Sequence, residues 1–151
     1  MGTYGGYVTD KNLEKNGVLL DLGEAGTFIV ARTGGANNKY LETVRKSTMR
    51  YRRQINAGTL DAAIADRLTI DAFAKTIVLG WLKKGDQGCE HDVTGKDGSV
   101  LPFTVENAKM LLTDLNDLFL DIKDCADSAT AYREEVVAEE GKSSVSSSDT
   151  P

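Results

Sequence analysis

The run from residue 59 to 84 most limits what this chain can become. Phe73, Ala74, Ile77, Val78, Trp81 and Leu82 follow i, i+1, i+4, i+5, i+8, i+9 spacing. That is the broad apolar face of a helix buried in a core. Leu60, Ala63, Ile64, Leu68 and Ile70 lead into it. Thr69 followed by Asp71 offers a cap, which divides a short helix at 60–67 from a longer one reaching 84. Gly80 costs such a helix about 1 kcal/mol relative to alanine, so its place there calls for close packing.

The remaining segments supply partners for that helix. A chain of 151 residues can bury roughly two thirds of its unfolded surface, enough for a core without disulfides. Residues 1–16 are polar and glycine-rich and read as a flexible arm anchored only by Tyr4 and Tyr7. GVLLDLG and GTFIVAR then flank the turn Gly23-Glu24-Ala25-Gly26, the pattern of a β-hairpin that needs a surface to pack on. A loop with Gly34, Gly35, Asn37 and Asn38 precedes a helix whose stripe is Tyr40, Leu41, Val44, Tyr51 and Ile55, ended by Ala57-Gly58. Residues 85–101 form a glycine-rich loop in which Lys96-Asp97-Gly98 makes a tight turn between two short extended segments. Thr104, after Pro102 and Phe103, caps a helix with Val105, Ala108, Leu111 and Leu112 inward. This helix breaks at 113–116. A last helix spans about 116–138, with Leu115, Leu118, Phe119, Ile122, Ala126, Ala129, Arg133 and Val136 on one face. GKSSVSSSDTP has nothing to bury and reads as disordered. The expected fold is α+β and mainly α-helical, with a small N-terminal hairpin on a helical bundle. Its parts are an arm at 1–16, one domain at 17–138 and a Ser-rich tail at 139–151.

Charge is segregated along the chain. The segment from Arg32 to Arg53 holds seven basic residues and one acid, a net of +6. The segment from Asp114 to Glu140 holds nine acids and two bases, a net of −7. Two readings fit. The two faces lie beside one another or stay solvated within one copy, or the basic face of one copy meets the acidic face of the next, as in a head-to-tail homo-oligomer. Arg50-Tyr51-Arg52-Arg53 also suits nucleic acid. However, the whole chain carries −5, and no known nucleic-acid module surrounds that stretch.

Reactive chemistry has few footholds. Cys89-Glu90-His91-Asp92 clusters four donor types, but zinc sites need pairs at loop-forming spacing and no second Cys/His pair exists. Gly34-Gly35 lacks the rest of any phosphate-loop motif. The Asp117/Asp121 and Asp124/Asp127 pairs lie on a helix surface with nothing to desolvate them. No enzyme activity, metal or cofactor is expected. Two cysteines fit a reducing cytoplasm, and no apolar run approaches a membrane span. Trp81 reads as core, and as a tryptophan it is also a candidate partner anchor.

Taken together, the GVLLDLG/TFIVAR hairpin, GGANNKYLE, the RYRRQI helix, FAKTIVLGW, KDGSVLPFTVENAKMLL and DLFLDIKDCA form an order over residues 17–137. This order resembles the tail assembly chaperones of long-tailed, siphovirus-like bacteriophages. The resemblance implies a non-enzymatic protein of the host cytoplasm, absent from the mature virion. It would bind the long helical tape measure protein and help recruit the tail tube protein. A structural virion protein, such as a head–tail connector or tail terminator, is the alternative, and a small nucleic-acid-binding regulator is a further one. Candidate partner contacts from side-chain chemistry are Tyr40, Val44, Tyr51, Phe73, Trp81 and Phe103 for apolar surface, and Arg45, Arg50, Arg52 and Arg53 for charge.

Overall fold

The computed structural model describes residues 3–133. The chain opens with helix α1 (Thr3–Tyr7) and helix α2 (Lys11–Asn16). Asp10 caps α2, its carboxylate accepting from the Asn12 and Leu13 amides at 2.8 and 3.3 Å. The segment expected as a flexible arm is therefore folded over its described residues. Its cause is Glu14, which is 1 % exposed and ion-paired to Arg32. Tyr4 and Tyr7, expected as the anchors, stand exposed instead.

Strands β1 (Val18–Asp21) and β2 (Thr27–Val30) pair antiparallel as the expected hairpin, with Leu19 opposite Ile29 and Asp21 opposite Thr27. One 3-10 turn at Gly23–Ala25 joins them. Helix α3 (Asn38–Thr48) runs through a 3-10 turn at Met49–Tyr51 into helix α4 (Arg52–Ala57). Asn37, at the N-cap position of α3, is buried and makes no capping bond; its side-chain amide donates to the Arg32 carbonyl at 2.8 Å. Neither α3 nor α4 buries a residue. Of the stripe read there, Tyr40 packs half-buried against the core, while Leu41 and Ile55 are exposed.

Helix α5 (Ala62–Thr76) is continuous from its Asp61 cap. Thr69 does not start a second helix. Its hydroxyl donates to the Ala65 carbonyl at 3.0 Å, inside the turn. The larger correction comes at its end. Val78–Trp81, expected as helix, is strand β3, antiparallel to β2 with Phe28 opposite Trp81 and a bulge between Ile29 and Val30. Pairing fills the second edge of β2, whose backbone groups have no other ladder. Gly80 lies in this strand, where a Cβ would sit 3.6 Å from Ile29 Cδ1.

Beyond a loop pinned by the Thr94–Val100 bridge, helix α6 (Val105–Asp114) starts at the Thr104 cap, whose hydroxyl accepts from the Asn107 amide at 3.0 Å. Helix α7 (Asn116–Asp127) follows at once. The expected helix ends at Asp127, and a 3-10 turn at Ala129–Tyr132 follows it; the expected stretch from 134 to 138 lies outside the described residues. Leu115 and Ala129, expected inward, are exposed. The expected Ser-rich tail and Val136 lie outside the described residues.

The inner sheet face, Phe28, Val30 and Val78, packs on Phe73 and Ile77 of the α5 end, Leu111 and Leu112 of α6, and Ile122 and Ala126 of α7. Two edge-to-face aromatic rows border this core. One is Tyr40–Phe73–Phe119, at 5.5 and 5.1 Å between centroids. The other is Phe28–Trp81–Phe103, at 5.7 and 4.9 Å. Tyr132, wholly buried, donates its hydroxyl to the Val30 carbonyl at 2.9 Å. The architecture is α+β and mainly helical, with one small three-stranded sheet among the described residues, in the order β1-β2-β3.

Candidate functional site

The candidate residues fall into three places. The first is an arm. A 3-10 turn at Met49–Tyr51 links α3 to α4, and Met49, Arg50, Arg52, Arg53, Gln54 and Asn56 line one open concavity along it. The Arg50 guanidinium stands 5.5 Å over the Tyr51 ring, which holds it against the surface. Arg45, Arg50, Arg52 and Arg53 are all exposed, and Met49 is 60 % exposed. Ion pairs among the described residues are Arg32–Glu14, Lys96–Asp114, Lys109–Asp71 and Lys123–Asp127. None includes an arginine of the arm, and none joins the arm to α7. Among the described residues, then, the two charged segments do not neutralise each other by direct pairing.

The second place is a narrow cavity of about 160 Å³ between α3 and α5. Tyr40, Val44, Leu60, Ala65 and Leu68 line it, with Ser47, Thr48 and Thr69 whose hydroxyls turn back to helix carbonyls. Burial pushes the Tyr40 hydroxyl up, and the Asp127 carboxylate adds to this. Phe73 is wholly buried behind Tyr40. It is a core residue and offers no surface, which corrects its place among the candidate contacts. Helical spacing marks a buried face equally well whether the burying partner is the same chain or another.

The third place is a groove of about 310 Å³ beside β3. Trp81, Val93, Leu101 and Phe103 form its apolar wall, Val100 its rim, and Lys83 and Asp92 its polar end. Val100 is 58 % exposed. The Trp81 indole N–H donates to the Leu101 carbonyl at 2.8 Å, fixing the ring between Phe28 and Phe103. Trp81 is half-buried, with one edge against the core and one bordering the groove. Val100 escaped the sequence reading, because a single valine in a polar loop carries no periodic signal.

Cys89 is 7 % exposed, and its thiol donates to the His91 carbonyl at 3.2 Å, while His91 itself is exposed. Among the described residues, no group of three His, Cys, Asp or Glu side chains converges as metal ligands would. Burial pushes up the Cys125 thiol and, even more, the Tyr132 hydroxyl beside it. Asp127 is pushed up by burial, but bonds from Lys123 and Thr33 outweigh this and hold it below the usual carboxylate range. Among the described residues, no helix is long and apolar enough to cross a membrane.

A protein-family model described as YdaY prophage protein matches residues 35–143, from the loop before α3 to beyond α7. No curated protein and no solved structure matches the chain. The family match spans the basic α3–α4 segment, the groove and both C-terminal helices, well over half of the sequence. The chain therefore belongs to the YdaY prophage protein family and is phage-derived.

Proposed function

We propose that this protein is a non-enzymatic tail assembly chaperone that binds a tape measure protein in the host cytoplasm. It hands that protein to the tail tube protein and is absent from the finished virion. The prophage origin of its family supports the setting. The observation that carries the reading is the groove of Trp81, Val100, Leu101 and Phe103. It is a rigid aromatic wall with an exposed aliphatic rim, of a kind that accepts the apolar stripe of an amphipathic helix. A tape measure protein is largely such a helix, and a chaperone for it needs contacts that later release.

The test is co-expression with the tape measure protein of the same phage, followed by affinity capture. Capture of a soluble complex by the unaltered protein is expected. Val100→Asp places a charge on the exposed rim without touching the core, and it is expected to abolish capture while leaving the melting curve unchanged. Capture unaffected by Val100→Asp, or recovery of this protein in stoichiometric amount from purified virions, would overturn the reading.

A further inference from the structure

The acidic helix and the basic arm match in more than sign. On α7, Asp117, Leu120, Asp121 and Asp124 stand at i, i+3, i+4 and i+7, one face of the helix. The three aspartates are exposed, and Leu120 between them is 45 % exposed. Among the described residues none of the three is in an ion pair. The face is therefore one aliphatic side chain ringed by three carboxylates over about 10 Å of helix. The arm is its counterpart, with Met49 exposed in a concavity ringed by Arg50, Arg52 and Arg53. An apolar centre inside a charged rim is the anatomy of a protein–protein contact. Here the two rims carry opposite sign, and the two centres are apolar, the branched Leu120 facing the flexible thioether of Met49.

We propose that these two faces dock on each other between copies, the α7 face of one seated in the arm of the next. Each copy then carries one donor face and one acceptor face, so the contact is heterologous and propagates until it closes into a ring or ends. The occupant of the arm is a second copy of this chain, because the complementary face is present on the chain itself. The contact uses neither Trp81 nor Val100, so it stands independently of the client groove.

Two charge-reversed proteins test this. One carries Arg50→Glu, Arg52→Glu and Arg53→Glu, the other Asp117→Lys, Asp121→Lys and Asp124→Lys. All six positions are exposed, so the fold is expected to persist, and circular dichroism checks it. Sedimentation velocity of the unaltered full chain is expected to show species heavier than one copy at low salt. Raising NaCl from about 0.05 to 0.5 M should weaken their association on the order of tenfold. Each reversed protein alone is expected to sediment as a single copy. Mixed in equal amounts they should associate again, because the acidic arm of one now faces the basic α7 of the other. That rescue also shows that both are folded. A single copy at every salt concentration, association that survives either reversal, or a mixture that stays dissociated would overturn the proposal. So would an arm that binds duplex DNA while the protein remains single.

Discussion

Replacing Glu14 by glutamine tests whether the N-terminal helix is held by charge. Glu14 is 1 % exposed. Its carboxylate takes the Arg32 guanidinium and, through the other oxygen, the Ala36 amide at 3.0 Å. Removing one partner of a buried ion pair costs about 3–5 kcal/mol, because the other charge is left uncompensated. Two facts put this case at the lower end. The Arg32 side chain is 21 % exposed and keeps part of its hydration, and the glutamine oxygen still accepts from Ala36. A loss of about 3 kcal/mol is expected at neutral pH. For a domain of this size that is a fall in Tm of about 6–12 °C. Urea denaturation followed by the fluorescence of Trp81, the single tryptophan, reads the difference directly.

The pH dependence of this loss is diagnostic. Burial pushes the Glu14 carboxyl up, but Arg32, the Ala36 amide and the Thr9 hydroxyl outweigh it and hold the folded value below the usual 4.5. A carboxyl held low in the folded state stabilises it above the unfolded value and loses that contribution as pH falls through the folded one. The gap between the two proteins is therefore full at neutral pH and closes in acid below 4.5. A gap under about 1 kcal/mol at neutral pH, or one of equal size in acid and at neutrality, would refute the reasoning.

Three further substitutions follow from the same geometry. Tyr132→Phe leaves the buried Val30 carbonyl without the hydroxyl and is expected to cost about 1–3 kcal/mol in urea denaturation at unchanged m value. Gly35→Ala forces a side chain onto a backbone of φ +60° and into the Glu14 carboxylate, so it is expected to destabilise by more than about 1 kcal/mol. The double substitution Glu14→Gln with Gly35→Ala should then cost less than the sum of the two. Thr104→Ala removes the α6 cap and is expected to cost about 1 kcal/mol with no change in captured tape measure protein.

What could be read from residues alone was whatever a local signal decides. An apolar run between Gly17 and Gly23 announced β1, and Gly26 followed by Thr27, Phe28, Ile29 and Val30 announced β2. Thr104 announced α6, and Asn116 follows at once on the end of that helix. Val78–Trp81 was misread because Ile77-Val78 and Trp81-Leu82 fit a helical stripe and a buried strand equally well. The open edge of β2, some fifty positions earlier in the chain, decided between them. The same limit hid Glu14 and Tyr132. Both sit in polar surroundings along the sequence, and each is buried by a partner remote from it, Arg32 and the Val30 carbonyl. Among the candidate contacts, the exposure of Arg45, Arg50, Arg52 and Arg53 was legible, because charge stays at the surface. Phe73 was not, because spacing cannot tell a core from an interface.

Tyr132 and Arg133 do more than fill space at the end of the described chain. Tyr132 reaches back 102 positions to Val30, its carbonyl accepts from the Asp10 amide at 2.7 Å, and Arg133 bridges Thr9. The opening helices and the middle strand thus take part of their fastening from residues made more than a hundred positions later. A nascent chain paused before Tyr132 leaves the ribosome lacks these bonds, and the last stretch to emerge closes the fold from its far end.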